Sequence, residues 1–314
     1  MDNKFFQFNI FARCKEYNVP LRQCPQFLFV VMGFVIMISS IVFYLMGERY
    51  ISDPRIVAFV VLAVAMTLLI IAFIITHSFE DLAEANRMKT EFVNIVSHQL
   101  RAPLTNLRWA TQFLLSEEFK PSNEKENLEY FDIIKENGSR MEGLIDDLLT
   151  ITRLKEDRLD NKRTKFSLSE LTKEVISEYK TFINASNLTV ELKPAKDLKN
   201  VSASYPLTKI VLENLIGNAI NYSKGGGKIF IELKELTKKV EFQIKDNGIG
   251  IPVEDRKRIF QKFFRCRNAV KTEVYGTGLG LFIVKLILDG MAGKVWFDSK
   301  EDKGSTFYFT LPTN

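Results

Sequence analysis

Histidine is the side chain most ready to act as a base or nucleophile near neutral pH, and the chain holds only two, His77 and His98. His98 lies in FVNIVSHQLRAPL, residues 92–104. Met88, Phe92, Ile95, Gln99 and Ala102 recur there at steps of four, three, four and three, the seam of a helix that faces a partner. His98 falls one residue before a seam position, so its ring is expected at the edge of the apolar stripe, in water. Pro103 lacks the N–H for a bond to residue 99 and is expected to kink the helix. A solvated bundle histidine has the same pattern; the second half of the chain makes His98 a candidate for chemistry.

Four pieces of that half carry the signal. Asn214 and Asn218 stand at i and i+4 on one helix face, with Tyr222 a turn further on. Two neutral oxygen donors suit a hard cation that keeps most of its waters, as Mg²⁺ does. DNGIGIP, residues 246–252, reads as a strand end breaking into a glycine turn. Asp246 can accept from an exocyclic amine there, and Gly248 and Gly250 let a ring approach the backbone. YGTGLGL, residues 275–281, opens a helix. Amides across Gly276, Thr277, Gly278, Leu279 and Gly280, with the helix dipole behind them, can cradle phosphates. KGST, residues 303–306, closes the sheet.

Composition excludes other classes. A formal charge of +5 spread along 314 residues is no nucleic-acid footprint. Cys14, Cys24 and Cys266 fit no metal pattern and are expected as free thiols, and neither histidine has a second ligand at zinc spacing.

The elements that position these residues begin in the membrane. Residues 27–46 and 56–76 are uncharged runs of 20 and 21 residues. Each spans roughly 30 Å as a helix, the thickness of the hydrocarbon core. Lys4, Arg13, Lys15 and Arg22 precede the first run, and Arg87 and Lys89 follow the second. That bias puts both termini in the cytoplasm, with a cytoplasmic tail at 1–26 and an external loop at 47–55. Nine outside residues are too few for a sensor domain. A helical hairpin follows, turning at residues 119–123, with a second seam through Leu128, Phe131, Ile134, Gly138, Met141, Ile145, Leu148 and Thr152. One hairpin cannot bury so long a seam, and a four-helix bundle made by two chains can. From about residue 159 the pattern becomes an α+β sandwich, with helices expected at 169–182, 207–222, 253–261 and 279–288.

In their order, the pieces resemble the boxes of the histidine kinases. Residues 92–104 resemble the H box, 214–223 the N box, 246–251 and 276–281 the two glycine boxes, and 258–265 the F box. The resemblance covers residues 77–314. It implies a signalling helix with a dimerisation and phosphotransfer domain at 77–158, and a Bergerat-type ATP-binding domain at 159–314. It implies a homodimeric, multi-pass protein of the inner (plasma) membrane that moves the γ-phosphoryl group of ATP to His98 and on to an aspartate of a separate response regulator. Asn214 and Asn218 would hold Mg²⁺; Tyr222, Asp246, Gly248, Gly250, residues 276–280 and Thr306 would bind the nucleotide. A lid at 262–280 is expected to be poorly ordered without nucleotide. Three departures stand out: Gln99 where the family commonly has an acid read as the base, Ala102 where it has Thr or Asn, and Asn221 where it has Lys. Gln99 also favours a competing reading, a membrane-anchored ATP-binding scaffold with little phosphotransfer.

Overall fold

A computed structural model of the chain describes residues 24–51, 53–116, 124–155, 162–193, 198–223, 225–271 and 276–313. The chain divides into two compact units, Met1–His98 and Gln99–Asn314.

In the first unit, α1 (Pro25–Gly47) opens on a proline, whose missing N–H costs nothing in a first turn. The next helix, α2 (Pro54–Leu114), is 61 residues long. Phe34, Phe43, Leu45, Phe59 and Phe73 are each more than half exposed, so these helices are apolar all round rather than on one stripe. The hydroxyls of Ser40, Thr67 and Thr76 fold back onto carbonyls four residues earlier, at 2.7 to 2.8 Å, which satisfies them without water. Both helices are long and apolar enough to cross a membrane by length and composition. Cys24 is disulfide-bonded, against the expectation of free thiols, whereas Cys266 is free.

The helix α2 is unbroken at Pro103 and ends at Leu114, short of the expected residue 118; the turn expected at 119–123 lies outside the described residues. Within the second unit its last turns pair with α3 (Glu124–Lys155). Phe113 and Tyr130 stack with centroids 4.9 Å apart, and Trp109 lies 5.8 and 5.9 Å from the two rings. Further along, Asn106 donates to Asn137 Oδ1 at 3.3 Å, and Asn137 donates to the Ile133 carbonyl at 2.7 Å. Leu104, Leu128, Phe131, Ile145 and Leu149 remain exposed along the hairpin, apolar surface that one hairpin does not cover.

The rest of the unit is a helix layer on a sheet. Strands β2 (Thr189–Lys193), β4 (Lys228–Leu236), β5 (Lys239–Lys245), β7 (Gly304–Pro312) and β6 (Lys294–Lys300) lie side by side in that order; only β2–β4 is parallel. A two-stranded ribbon joins β1 (Thr164–Phe166) to β3 (Val201–Ala203). Period-two alternation buries Ile229, Ile231 and Leu233, then Val240, Phe242 and Ile244, then Phe307, Phe309 and Leu311. Against that face lie α4 (Leu168–Glu178), α6 (Tyr205–Tyr222) and α8 (Gly280–Gly290), whose Leu171, Leu212, Ile216 and Val284 complete the core. The expected helix at 169–182 is two pieces, α4 and α5 (Lys180–Ala185), with Tyr179 between them. No helix forms at 253–261. Asp255, Arg258 and Gln261 donate their N–H groups to carbonyls three residues back, a string of tight turns. The carboxylate of Asp255 is drawn in toward the backbone of Arg267, and Ile259 is buried, so the segment wraps rather than coils.

Candidate functional site

A cleft of about 600 Å³, part of it open to solvent, lies where α6, the end of β5 and the start of β7 meet. Asn218 and Tyr222 reach it from one face of α6, and Asp246 and Gly250 from the turn after β5. Ile249, Ile251, Ile259, Phe264, Leu281 and Phe307 make the wall apolar, a slot suited to a flat ring.

Asp246 is 6% exposed. Its Oδ1 accepts the N–H of Gly248 at 2.8 Å and of Ser305 at 3.1 Å, and its own N–H donates to the Ser305 carbonyl at 2.9 Å. Burial pushes its pKa up, and the two amides pull it partly back. Gly250 adopts φ +64°, and a Cβ there would stand 2.1 Å from the Lys300 carbonyl, so no side chain fits. Ser299 braces this turn, accepting the Ile251 N–H at 2.9 Å and lying 2.9 Å from the Ser305 hydroxyl. Burial also raises the Tyr222 phenol, against the pull of Arg265, and lifts the Cys266 thiol to about 11.

The second glycine segment stands beside the cleft. Gly278 has φ +72°, and a Cβ would come within 2.7 Å of the Phe263 backbone. The Thr277 hydroxyl accepts the Leu279 N–H at 3.1 Å and donates to Asp147 Oδ2, on α3, at 2.6 Å. Gly276 faces the Tyr222 hydroxyl, 3.5 Å from where a Cβ would be, and Gly280 begins α8.

Two expected site residues point elsewhere. Asn214 donates to the Ile210 carbonyl at 2.9 Å, and its Oδ1 lies against Gly280, 2.4 Å from a Cβ position there; it does not line the cleft. Thr306 is one residue out of phase. The strand alternates, so Ser305 and Phe307 face the cleft while Thr306 lies beside Tyr308 on the opposite face. For a metal, the cleft offers the Asn218 carboxamide, and no group of three His, Cys, Asp or Glu is gathered among the described residues. A lone neutral oxygen ligand fits a largely hydrated Mg²⁺ that takes its charge from phosphates. His98 is exposed on α2, and Gln99 is half-buried. Sequence reading did not mark Ser305, Cys266 and Asn268 as cleft residues. Within the expected lid, α7 (Arg267–Lys271) forms; residues 272–275 lie outside the described residues.

Two family models match the chain. "His Kinase A (phospho-acceptor) domain" covers residues 88–157, and "Histidine kinase-, DNA gyrase B-, and HSP90-like ATPase" covers residues 205–314. The chain belongs to the histidine kinase family. Among its relatives, the adaptive-response sensory kinase SasA of Synechocystis is 31% identical over 244 residues, 76% of this chain and 63% of that protein. The sensor protein kinase WalK of Staphylococcus aureus is 32% identical over 250 residues, 76% of this chain and 57% of that protein. The chain thus spans less than two thirds of the length of these relatives. In structure it is similar to the Acinetobacter baumannii histidine kinase AdeS, with 25% identity, TM-score 0.56, and 69% of this chain and 98% of that one covered. It is also similar to histidine kinase ThkA solved in complex with the response regulator TrrA, with 26% identity, TM-score 0.59, and 74% and 64% covered.

Proposed function

We propose that this chain is a membrane-anchored sensor histidine kinase that phosphorylates His98 from ATP and passes the phosphoryl group to an aspartate of a separate response regulator. The observation that carries the reading is the apolar slot closed at one end by the buried carboxylate of Asp246 and flanked by two left-handed glycines, in a chain whose H-box helix exposes His98. Asp246, its Oδ1 held by two amides, accepts the adenine amine. Gly250 keeps the slot open for the ring. Thr277 and the amides leading into α8 receive the phosphates, and Asn218 offers an oxygen to Mg²⁺, which when bound neutralises phosphate charge. In the transfer, an N–P bond forms at a ring nitrogen of His98 as the bond to the β-phosphate oxygen breaks; ADP leaves and the ring proton goes to water. Positioning and charge neutralisation supply most of such catalysis. Gln99 can orient the ring but cannot take its proton.

Two transmembrane helices at 27–46 and 56–76, with the tail, hairpin and ATP-binding domain in the cytoplasm, are supported by the all-round apolar helices and the flanking basic residues. The Cys24 disulfide would be unusual on a reducing side. The uncovered apolar seam on α3 supports a homodimer with a four-helix bundle at 77–158, ahead of the Bergerat-type domain at 159–314. The crystal structure of ThkA in complex with the response regulator TrrA supports a response regulator as the partner.

The test is incubation with γ-labelled ATP, with and without His98→Ala. Acid-labile label is expected on the parent and none on the variant. Label that survives His98→Ala would refute the acceptor, and nucleotide binding with no label on either would favour the scaffold reading.

A further inference from the structure

One wall of the cleft is built from a segment with almost no stability of its own. The helix α7 is five residues long, too short to persist by helical propensity. Even so, Arg265, Cys266, Asn268 and Ala269 line the cleft, and Ala269 is 4% exposed. Side chains hold the segment down from two directions. Asp255, itself 6% exposed, accepts the Arg267 N–H through Oδ2 at 3.1 Å. Asn268 Nδ2 donates to the Gly250 carbonyl at 2.9 Å and to the Ile249 carbonyl at 3.3 Å, while its Oδ1 accepts the Ala269 N–H at 2.9 Å. Both carbonyls belong to the turn that follows Asp246. One carboxamide therefore joins the helix at the lid's start to the turn against which the ring is expected to lie.

We propose that Asn268 is a positioning residue for nucleotide recognition, its two N–H donors fixing the spacing between the lid's first helix and the Ile249–Gly250 turn. This rests on the ATP-binding reading above. With the tie cut, the wall gains freedom that a bound nucleotide must remove again, so the loss falls on affinity. Once nucleotide is seated the wall is ordered, and the transfer to His98 proceeds as before. The side chain's two functions are separable. Aspartate keeps an oxygen for the Ala269 N–H but sets a carboxylate against two carbonyls; alanine removes both functions.

Equilibrium binding of a fluorescent ADP analogue and ATP-dependent autophosphorylation would be measured on the full-length chain in detergent, for the parent, Asn268→Asp and Asn268→Ala. Both variants are expected to raise Kd and KM about tenfold, the scale of one or two lost hydrogen bonds. The rate at saturating ATP should stay within about twofold, since only ground-state binding is lost. If Asn268→Asp does not fold, Asn268→Ala carries the comparison. A folded variant with the parent's Kd would overturn the assignment, as would a loss confined to kcat. A parent that binds no nucleotide would instead bring down the ATP-site reading, and this inference with it.

Discussion

Asp246 holds a charge in a nearly closed place, and that conflict can be measured. Burial raises its pKa while the Gly248 and Ser305 amides oppose the rise. A carboxyl whose folded pKa is raised contributes stability while protonated and loses it as the pH climbs through the raised value. The window therefore runs upward from the ordinary carboxylate range. Asp246→Asn, neutral at every pH, should melt no lower than the parent near neutrality, and any advantage should shrink on acidification. Its affinity for ADP should nevertheless fall about 10- to 100-fold, because a charge-assisted hydrogen bond is lost. Melting curves across that pH range and a binding isotherm read both effects; normal binding would deny Asp246 its role. Asn218, Tyr222, Asp246 and Gly250 were legible in the sequence because local spacing places each on its element. Ser305 and Asn268 were not, because the fold brings them to the cleft from distant segments and no local pattern marks them. Thr306 was named in place of Ser305 for a simpler reason. A closing strand declares its alternation, but not which phase faces the site.

Among the elements, the strands were read most faithfully. The pair Lys228–Leu236 and Lys239–Lys245 alternates strictly between turn glycines, a pattern that marks a strand pair in the sequence itself. The helix expected at 253–261 failed where propensity met tertiary demand: its one buried carboxylate caps another segment. In the hairpin, heptad spacing gave the seam but not the Asn106–Asn137 pair within it. Asn137 is 8% exposed, and its carboxamide both accepts from Asn106 and donates to its own helix. Such a pair fixes the register of two helices more than it strengthens them. A double-mutant cycle with Asn106→Ala and Asn137→Ala, followed by chemical denaturation, should give a coupling on the order of 1 kcal/mol. Strictly additive losses would mean that the two amides do not pair in solution.

Across the second unit as a whole, α3 is not a free strut. Leu144 and Ile151, each 3% exposed, belong to the same buried cluster as the core of the sandwich, and α3 packs against α8. At that seam Asp147 accepts a hydrogen bond from the Thr277 hydroxyl, and burial raises its pKa while Thr277 lowers it and Asp146 raises it. If phosphates take Thr277, as proposed, they meet a carboxylate already there, and like charges disfavour joint occupancy. Asp147→Asn should then bind ATP about 3- to 10-fold more tightly, a coupling within the usual 1–3 kcal/mol, by the same isotherm; weaker binding would reverse the sign. Two ligands that compete for one hydroxyl obey a reciprocity: by whatever factor the docked helix weakens nucleotide binding, bound nucleotide must weaken the docking of the helix. If phosphates bind at Thr277 as proposed, its hydrogen bond to Asp147 makes the nucleotide itself the agent that loosens the ATP-binding domain from α3.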